Sequence, residues 1–553
     1  MHAGDRYSTG AVPEVARRTR SLAGPLQHQA LHADHEQRSA PPARRRAWAA
    51  LAWAAGAAVL FVLFLRITLA DARSMSSDPA NSALQAWDML HGHLLLHGWI
   101  VGDATFYTFE LPLIAIAEIF FGLHIIAVQV TVALVYVAVA ACAVAIAVTD
   151  ARGASRAVRA GVTVAVLAAP ALIASDTWIP LGFPDHTGTS LFLLVSFLLV
   201  DRAAARRFTA PLLCAILCAG QISDVTVRYV AVPAIVLVCG YRALAARKIA
   251  TGDAAAAAAA AVSVPLSLAI RALMRNMGAY LMVTPKTQIA PVSRWPHNAA
   301  LTWYALRMLF GIQAAPGVSP AGPAAIFGFG CLLVAVAGMV RVLWRWRTVR
   351  RAEQLLLVAI IVNLGAYTIS TLPSGWVPHD IVAVLPAGAI LGARTVPTRI
   401  AGRPTALAAA SVAAVAALLP LSLAATRPAA IAPVAQLTGW LQAHGLRYGL
   451  GGYWDSSAVT LQSAGQVDVR TVQVNGREIT PWAWEMYTGW YDPARHYANF
   501  VIIDLVFWTD LGPEAERFFG KPVSAHRVAD WEILIYHGNV LKQIKPPTIE
   551  HAS

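Results

Sequence analysis

Residues 122–148 read GLHIIAVQVTVALVYVAVAACAVAIAV and contain no Asp, Glu, Lys or Arg. A helix of about 20 apolar residues crosses the hydrocarbon of a bilayer, and in lipid only a helix or a closed barrel satisfies its own backbone hydrogen bonds. The stretch is therefore predicted to be a membrane-spanning helix. Apolar stretches of the same kind recur on both sides of it, at roughly 48–70, 159–176, 188–201, 209–222, 229–246, 254–273, 322–343, 353–371, 380–393 and 405–425. Together they predict an all-α polytopic membrane bundle of about eleven transmembrane helices. The alanine run that begins at Asp253 is low in complexity but helix-favouring, and it counts as a span without a function of its own.

Composition agrees. Of 553 residues, 57% are hydrophobic and 13% charged, whereas soluble domains carry about 25% charged residues. Mean hydropathy is +0.56. A cytosolic globular enzyme is excluded. The balance of 43 Lys+Arg against 30 Asp+Glu, net +13, does not indicate nucleic acid, because the basic residues collect in alternate loops between spans. Arg44–Arg46, Arg152/Arg156/Arg159, Arg202/Arg206/Arg207, Arg242/Arg247/Lys248, Arg341/Arg345/Arg347/Arg350/Arg351 and Arg394/Arg399/Arg403 mark those loops as cytoplasmic. A multi-pass protein of the plasma (inner) membrane follows, N-terminus inside and C-terminus outside. The five cysteines all fall in apolar spans, so no disulfide framework is legible.

Three regions result. Residues 1–46 have no apolar period and are predicted to be a disordered cytoplasmic tail. Residues 47–425 form the transmembrane domain, with a long first outer loop at 71–112. Residues 426–553 form a small extracytoplasmic α/β domain. In that domain QLTGWLQAHGLRYGLGGYW predicts a helix closed near Gly445 and then a strand, and FVIIDLVFW and WEILIYHGNVL each predict a strand. Segment 111–121 is apolar but too short to span, which suits a helix lying along the outer leaflet; the stretch around Trp303 and Phe310 suggests a second.

The unusual chemistry lies outside the membrane. The first loop, SSDPANSALQAWDMLHGHLLLHGWIVGDATFYTFELP, carries Asp78, Asp88, Asp103, Glu110 and three histidines. Asp78, beside Pro79, admits two readings, a general base at the mouth of the bundle or a residue of a helix start. The histidines could be metal ligands or amphipathic interface anchors, of which anchors are the commoner use. Asp103 and Glu110 could contact substrate hydroxyls or cap helices. In the tail, Trp454 and Asp455 of GGYWDSS, with Trp482, Trp484, Glu485, Tyr487 and Trp490, suit a carbohydrate-contacting surface, an aromatic belt or the small domain's core, the last being favoured.

An acid after the first span, a loop with a Gly-containing turn (HGH at 91–93), FYTFELP, many further spans and a C-terminal outer domain resemble the GT-C glycosyltransferases that use polyprenyl-phosphate sugars, such as protein O-mannosyltransferases and aminoarabinose transferases. HDIVAVLPAGAILGAR (379–394) and WLQAHGLRYGLGGYW also resemble large actinobacterial cell-envelope membrane proteins of this type. The resemblance implies a hexosyl- or pentosyltransferase. It would move a sugar from a polyprenyl-phosphate donor to a glycan, lipid or protein acceptor on the extracytoplasmic face, with inversion. Carried over, the catalytic acids are Asp78 and Asp185 of FPDHTGTS, and Asp185 with His186 would hold a divalent ion, Mg or Mn, where one is used.

Leaving-group phosphate requires cations. Arg228, Arg275, Lys286 and His379 are the candidates, alongside Arg271 and Arg294, and Asp88, Asp103 and Glu110 complete the expected substrate-binding set. A transporter or lipid flippase is the alternative, but it would place ionisable groups near the bilayer midplane. A non-catalytic envelope-assembly protein is the other.

Overall fold

The computed structural model describes residues 43–71, 75–172, 182, 186–202, 208–248, 250–283, 287–313, 322–373, 378–507 and 509–547. Most of the expected N-terminal tail, Asp185 and Lys286 lie outside the described residues. The first helix, α1 (Ala43–Leu69), begins in a compact unit that ends at Val59; residues from Leu60 onward form a second unit, and the functional residues lie in the latter.

After α1 the first loop folds into α2 (Ser77–Leu90), whose first turn tolerates Pro79 because the amide it lacks has no helical partner there. The short strand β1 (Trp99–Val101) and α3 (Glu110–Phe121) follow. Ile116, Ile119, Phe120 and Phe121 on α3 are exposed, the apolar face expected of a helix resting in the leaflet. The stretch quoted first forms α4 (Ile125–Ala147), begun by His124, whose Nδ1 accepts the Ile126 amide at 3.2 Å.

Six further helices run α5 (Ala154–Ala168), α6 (Thr187–Arg202), α7 (Thr209–Ser223), α8 (Thr226–Ala246), α9 (Thr251–Asn276) and, after β2 (Leu281–Met282), α10 (Trp295–Leu309). The bundle is completed by α11 (Gly322–Trp344), α12 (Arg351–Ile369), α13 (Val384–Ala393) and α14 (Arg403–Ala425).

Among the described residues eight helices are long and apolar enough to cross a bilayer. The other three expected crossings are the 16-residue α6, the 15-residue α7 and the 10-residue α13. Every residue of α13 is buried, so its backbone ends face protein rather than lipid.

Small residues bring helices together. A Cβ on Gly338 of α11 would lie 2.3 Å from the Leu391 carbonyl carbon of α13, and one on Gly392 would lie 2.7 Å from Val334 Cγ1. In lipid, where apolar burial between helices gains little, such close approach is a main source of packing.

The basic loops gather into ion pairs at one end of the bundle. Asp150 accepts from Arg159 at 2.9 Å and from Arg394 at 3.1 Å; Arg394 also meets Glu353 at 3.2 Å, and Arg341 pairs with Glu353. Arg351 reaches Asp253 at 2.6 Å, and Arg350 reaches Asp201 at 2.7 Å.

The tail is the expected α/β domain. It runs α15 (Ala435–Ala443), β3 (Tyr448–Gly451), α16 (Tyr453–Gln462), β4 (Asp468–Asn475), β5 (Glu478–Pro481) and β6 (Met486–Tyr487). Then come β7 (Phe500–Asp504), α17 (Leu511–Phe519), β8 (Ser524–Val528) and β9 (Trp531–Ile535). Six strands form one sheet in the order β5-β4-β3-β7-β9-β8, with β3 parallel to β4 and β7. The central strand β7 is buried throughout. The remaining tail strand, β6, lies outside this sheet and joins β1 and β2 in a second sheet of order β2-β1-β6.

Gly338→Ala should destabilise the protein by about 1–3 kcal/mol, because the new methyl meets backbone that cannot step aside. Gly330→Ala on the same helix, with nothing within 4 Å of the new Cβ, should be neutral or slightly stabilising. Thermal unfolding of the two variants in detergent checks the contrast, and equal effects would contradict the close approach.

Candidate active site

The second sheet brings the tail to the first loop. Register pairs Trp99 with Tyr487 and Ile100 with Met486 on one side, and Ile100 with Leu281 and Val101 with Met282 on the other. Gly102 extends this contact, since a Cβ there would lie 2.9 Å from the Trp484 ring. Trp99 packs edge-on against Trp490, and Tyr453 lies beside Trp482. Of the tail aromatics, Trp490 packs against the small domain's core, Trp484 and Tyr487 meet the first loop, and Trp454 is exposed.

That docking assembles a carboxyl pair. Helix α16 packs on α2, which places the Tyr453 hydroxyl 2.5 Å from Asp78 Oδ1 and 3.0 Å from Glu485 Oε2. Asn81, one turn along α2 from Asp78, donates to Glu485 Oε2 at 3.4 Å. Both carboxyls are half-buried.

Burial pushes Asp78 up to about 6 against the bond from Tyr453, which lowers it. Burial and the Asp78 charge hold Glu485 well above the carboxylate range. A phenol carries one proton, so it cannot donate to both acids at once. The geometry is satisfied when Glu485 keeps a proton and donates to the Tyr453 oxygen while Tyr453 donates to ionised Asp78. Asp78 is then a carboxylate of raised basicity.

A second cluster lies where the first loop crosses the start of α8. Ala104 bridges Asp224, and the Thr105 amide donates to Ser223 O at 2.7 Å. His186 Nδ1 lies 2.5 Å from Asp224 Oδ2, which also accepts from Thr189, and Asp224 Oδ1 accepts the Thr226 amide at 2.8 Å. Burial would raise Asp224, but the His186 charge and these bonds outweigh it and hold the acid at about 2.

The His186 and His379 rings stack with centroids 5.2 Å apart and planes 7° from parallel. Asp380 follows His379, and its carbonyl accepts from Asn363 at 3.0 Å. Among the described residues, His186, His379 and Asp380 form the one group able to hold a metal ion, with ligand atoms within 4.8 Å of one another. Burial raises Asp103, and charges of this cluster act on it in both directions.

The other expected substrate-binding residues are more locally engaged. Asp88 accepts from the Trp99 indole at 2.9 Å and bonds His93 at 2.6 Å, tying α2 to β1. Glu110 is 3% exposed, with Ser223 Oγ 3.4 Å from its Oε2. Burial lifts it to about 7, and a Cβ on Gly188 could not fit beside its carboxyl. His91 and His97 bond backbone carbonyls.

Of the cations, Arg228 Nε donates to Gln221 Oε1 at 3.3 Å while its buried Nη2 has no hydrogen-bond partner. Arg271 neighbours Met282, and Arg275 is exposed. Tyr453, Asp224 and Asp380 were not singled out as site residues from sequence, and Glu485 was named only with the tail aromatics, not as a partner of Asp78. Asp224 carried the best signal, an acid directly after an apolar span.

Similar solved structures include two of ArnT from Cupriavidus metallidurans. The form bound to undecaprenyl phosphate matches 91% of this chain and 99% of its own, at TM-score 0.52 and 14% identity. The apo form matches 91% and 100%, at TM-score 0.51 and 15% identity. No protein-family model and no curated protein sequence matches the chain. The chain has an ArnT-like fold.

Asp78 should show its burial in stability. Its folded-state value of about 6 exceeds the ordinary 3.8, so the folded protein holds that proton more tightly than the unfolded chain. The resulting stability is present below about pH 4 and is lost as pH rises through about 6. Asp78→Asn, whose amide oxygen can still accept from Tyr453, should melt like the wild type near about pH 4 and at a higher temperature near about pH 7.5. An offset that does not change with pH would mean that Asp78 bears no such cost.

Proposed function

We propose that the protein is an integral-membrane glycosyltransferase of the extracytoplasmic face, transferring a sugar from a polyprenyl-phosphate donor to an acceptor hydroxyl with inversion. The observation that carries the reading is the Asp78–Tyr453–Glu485 constellation, joined to a fold shared with ArnT, one of whose structures is bound to undecaprenyl phosphate.

In this mechanism Asp78 takes the proton of the acceptor hydroxyl as its oxygen attacks the anomeric carbon. The bond to the lipid phosphate breaks on the opposite face, and one displacement inverts the centre. A base with a value near 6 is largely ionised at neutral pH and is a stronger proton acceptor than an ordinary carboxylate. Protonated Glu485 keeps Tyr453 pointed at Asp78, so the charge stays on the base. The departing phosphate needs cationic donors, and Arg228, with its unpartnered buried Nη2, is the best placed of the expected set. Whether the sugar is a hexose or a pentose depends on pocket contacts beyond these residues.

The basic loops, gathered into ion pairs at the end of the bundle opposite Asp78, support an N-in, C-out orientation. Lys521→Cys, at an exposed tail position, should react with a membrane-impermeant thiol reagent on intact cells. The native thiols are buried or half-buried within apolar helices. Labelling only after the membrane is broken would reverse the orientation.

Polyprenyl phosphate should raise the melting temperature of the purified protein, as any ligand selective for the folded state does, and Arg228→Ala should reduce that rise. Equal protection of variant and wild type would remove Arg228 from the phosphate site.

Asp78→Asn should lower transfer from a polyprenyl-phosphate sugar by roughly 10²- to 10⁴-fold, roughly 3–5 kcal/mol of barrier, without loss of folding. Because Asn starts a helix as well as Asp, near-normal turnover would mean that Asp78 is only a helix-start residue.

A further inference from the structure

We propose that the turn joining α11 to α12 and the end of α8 together bind the headgroup of an anionic phospholipid, through Arg345, Arg347, Arg247 and Lys248. The lipid belongs to the leaflet at the end of the bundle opposite Asp78, and the inference is independent of sugar transfer.

Many arginines at that end are already neutralised. Arg351 pairs with Asp253 at 2.6 Å, Arg350 with Asp201 at 2.7 Å, and Arg341 with Glu353. Arg345, Arg347, Arg247 and Lys248 are different. All four are exposed, and among the described residues none of them makes an ion pair.

Two ties bring the four cations together from distant parts of the chain. The ring of Tyr241, in the last turns of α8, lies 5.4 Å from that of Trp346, which stands between Arg345 and Arg347. Gln354 of α12 joins the same segments: its Nε2 donates to Trp346 O at 2.7 Å, and its Oε1 accepts from Arg242 Nη1 at 3.1 Å. Gln354 is 1% exposed, so water does not compete for these bonds. Within the turn, Arg345 O accepts from Thr348 Oγ1 and from the Val349 amide, both at 3.1 Å. The backbone under the cations is thus held, while their side chains remain free to meet a ligand.

The flank of the patch selects a lipid over a soluble anion. Trp344, the last residue of α11, is 87% exposed, and Leu343 and Val340 behind it are also exposed. An indole at the end of an apolar helix face sits at headgroup depth. A phospholipid seated there lays its acyl chains along α11 and its phosphate among the cations, where guanidinium groups make forked bonds to phosphate oxygens. Clustered basic residues beside a membrane helix recognise acidic headgroups in this way. Arg399 and Arg403 supply the contrast at the same end of the bundle. Their loop bonds the α4–α5 turn, with Thr398 O accepting the Arg152 amide at 2.9 Å, and neither segment carries an aromatic residue.

The test uses the full-length protein, delipidated in detergent and titrated with phosphatidylglycerol, phosphatidylcholine or inorganic phosphate. Phosphatidylglycerol should raise the melting temperature, as a ligand selective for the folded state does, and should be retained on the protein in native mass spectrometry; the other two should do neither. The double substitution Arg345→Gln with Arg347→Gln should weaken the lipid's apparent affinity roughly 10- to 30-fold. Arg399→Gln with Arg403→Gln, which removes the same charge from the same end, should leave it within about 2-fold of the wild type. Both variants should melt with the wild type in lipid-free detergent, which separates loss of binding from misfolding. Equal stabilisation by phosphatidylcholine or by inorganic phosphate, unchanged affinity in the Arg345/Arg347 variant, or an equal loss in the Arg399/Arg403 variant would each overturn the proposal.

Discussion

The pairing of β6 with β1 holds the candidate site together. A two-residue strand from the C-terminal domain adds to a three-residue strand of the first loop, and Glu485 immediately precedes it. Without that pairing Glu485 would not reach Asp78, and Tyr453 would lack its second acid. Such a short ladder is weak alone. It is reinforced by Thr488, whose amide and hydroxyl both bond Gly98 O at 2.9 Å, by Trp484 against Gly102, and by the packing of α16 on α2. The α/β domain is thus part of the site rather than an appendage beside it.

Two acids close together in a low-dielectric setting cannot both stay ionised cheaply, so one of them keeps its proton. A tyrosine between them turns this constraint into an assignment, ionised Asp78 on one side and protonated Glu485 on the other. The second cluster solves a similar problem differently. There Asp224 is stabilised by a buried histidine and two hydroxyl or amide donors, and Asp103 is charge-coupled both to that cluster and to Glu485. At the opposite end of the bundle, arginines and acids neutralise one another directly, as buried charges in a membrane protein must.

The membrane bundle was legible because lipid imposes one rule everywhere, that long apolar helices satisfy their own backbones. Residues 122–148 announced α4, the apolar segment 111–121 announced α3, and FVIIDLVFW announced the buried β7. The short helices α6, α7 and α13 were harder, since apolar character alone does not separate a crossing from a helix enclosed by protein. The charge of the first loop was equally plain. Which charges would meet was not. Asp88 and Glu110 looked like the other acids of that loop, yet one ties α2 to β1 and the other is buried against Ser223.

Sequence by itself determined that this is a many-helix membrane protein with a C-terminal α/β domain, and that many of its acids lie in the long loop after the first span. Only the tertiary structure decided that Tyr453 and Glu485, about 400 residues along from Asp78, complete its environment, and that His186 shares a cluster with Asp224, His379 and Asp380. The physical reason is that apolar periodicity is a local property, written residue by residue. The protonation and ligand geometry of a site instead depend on charges brought together from distant segments by strand pairing and helix packing.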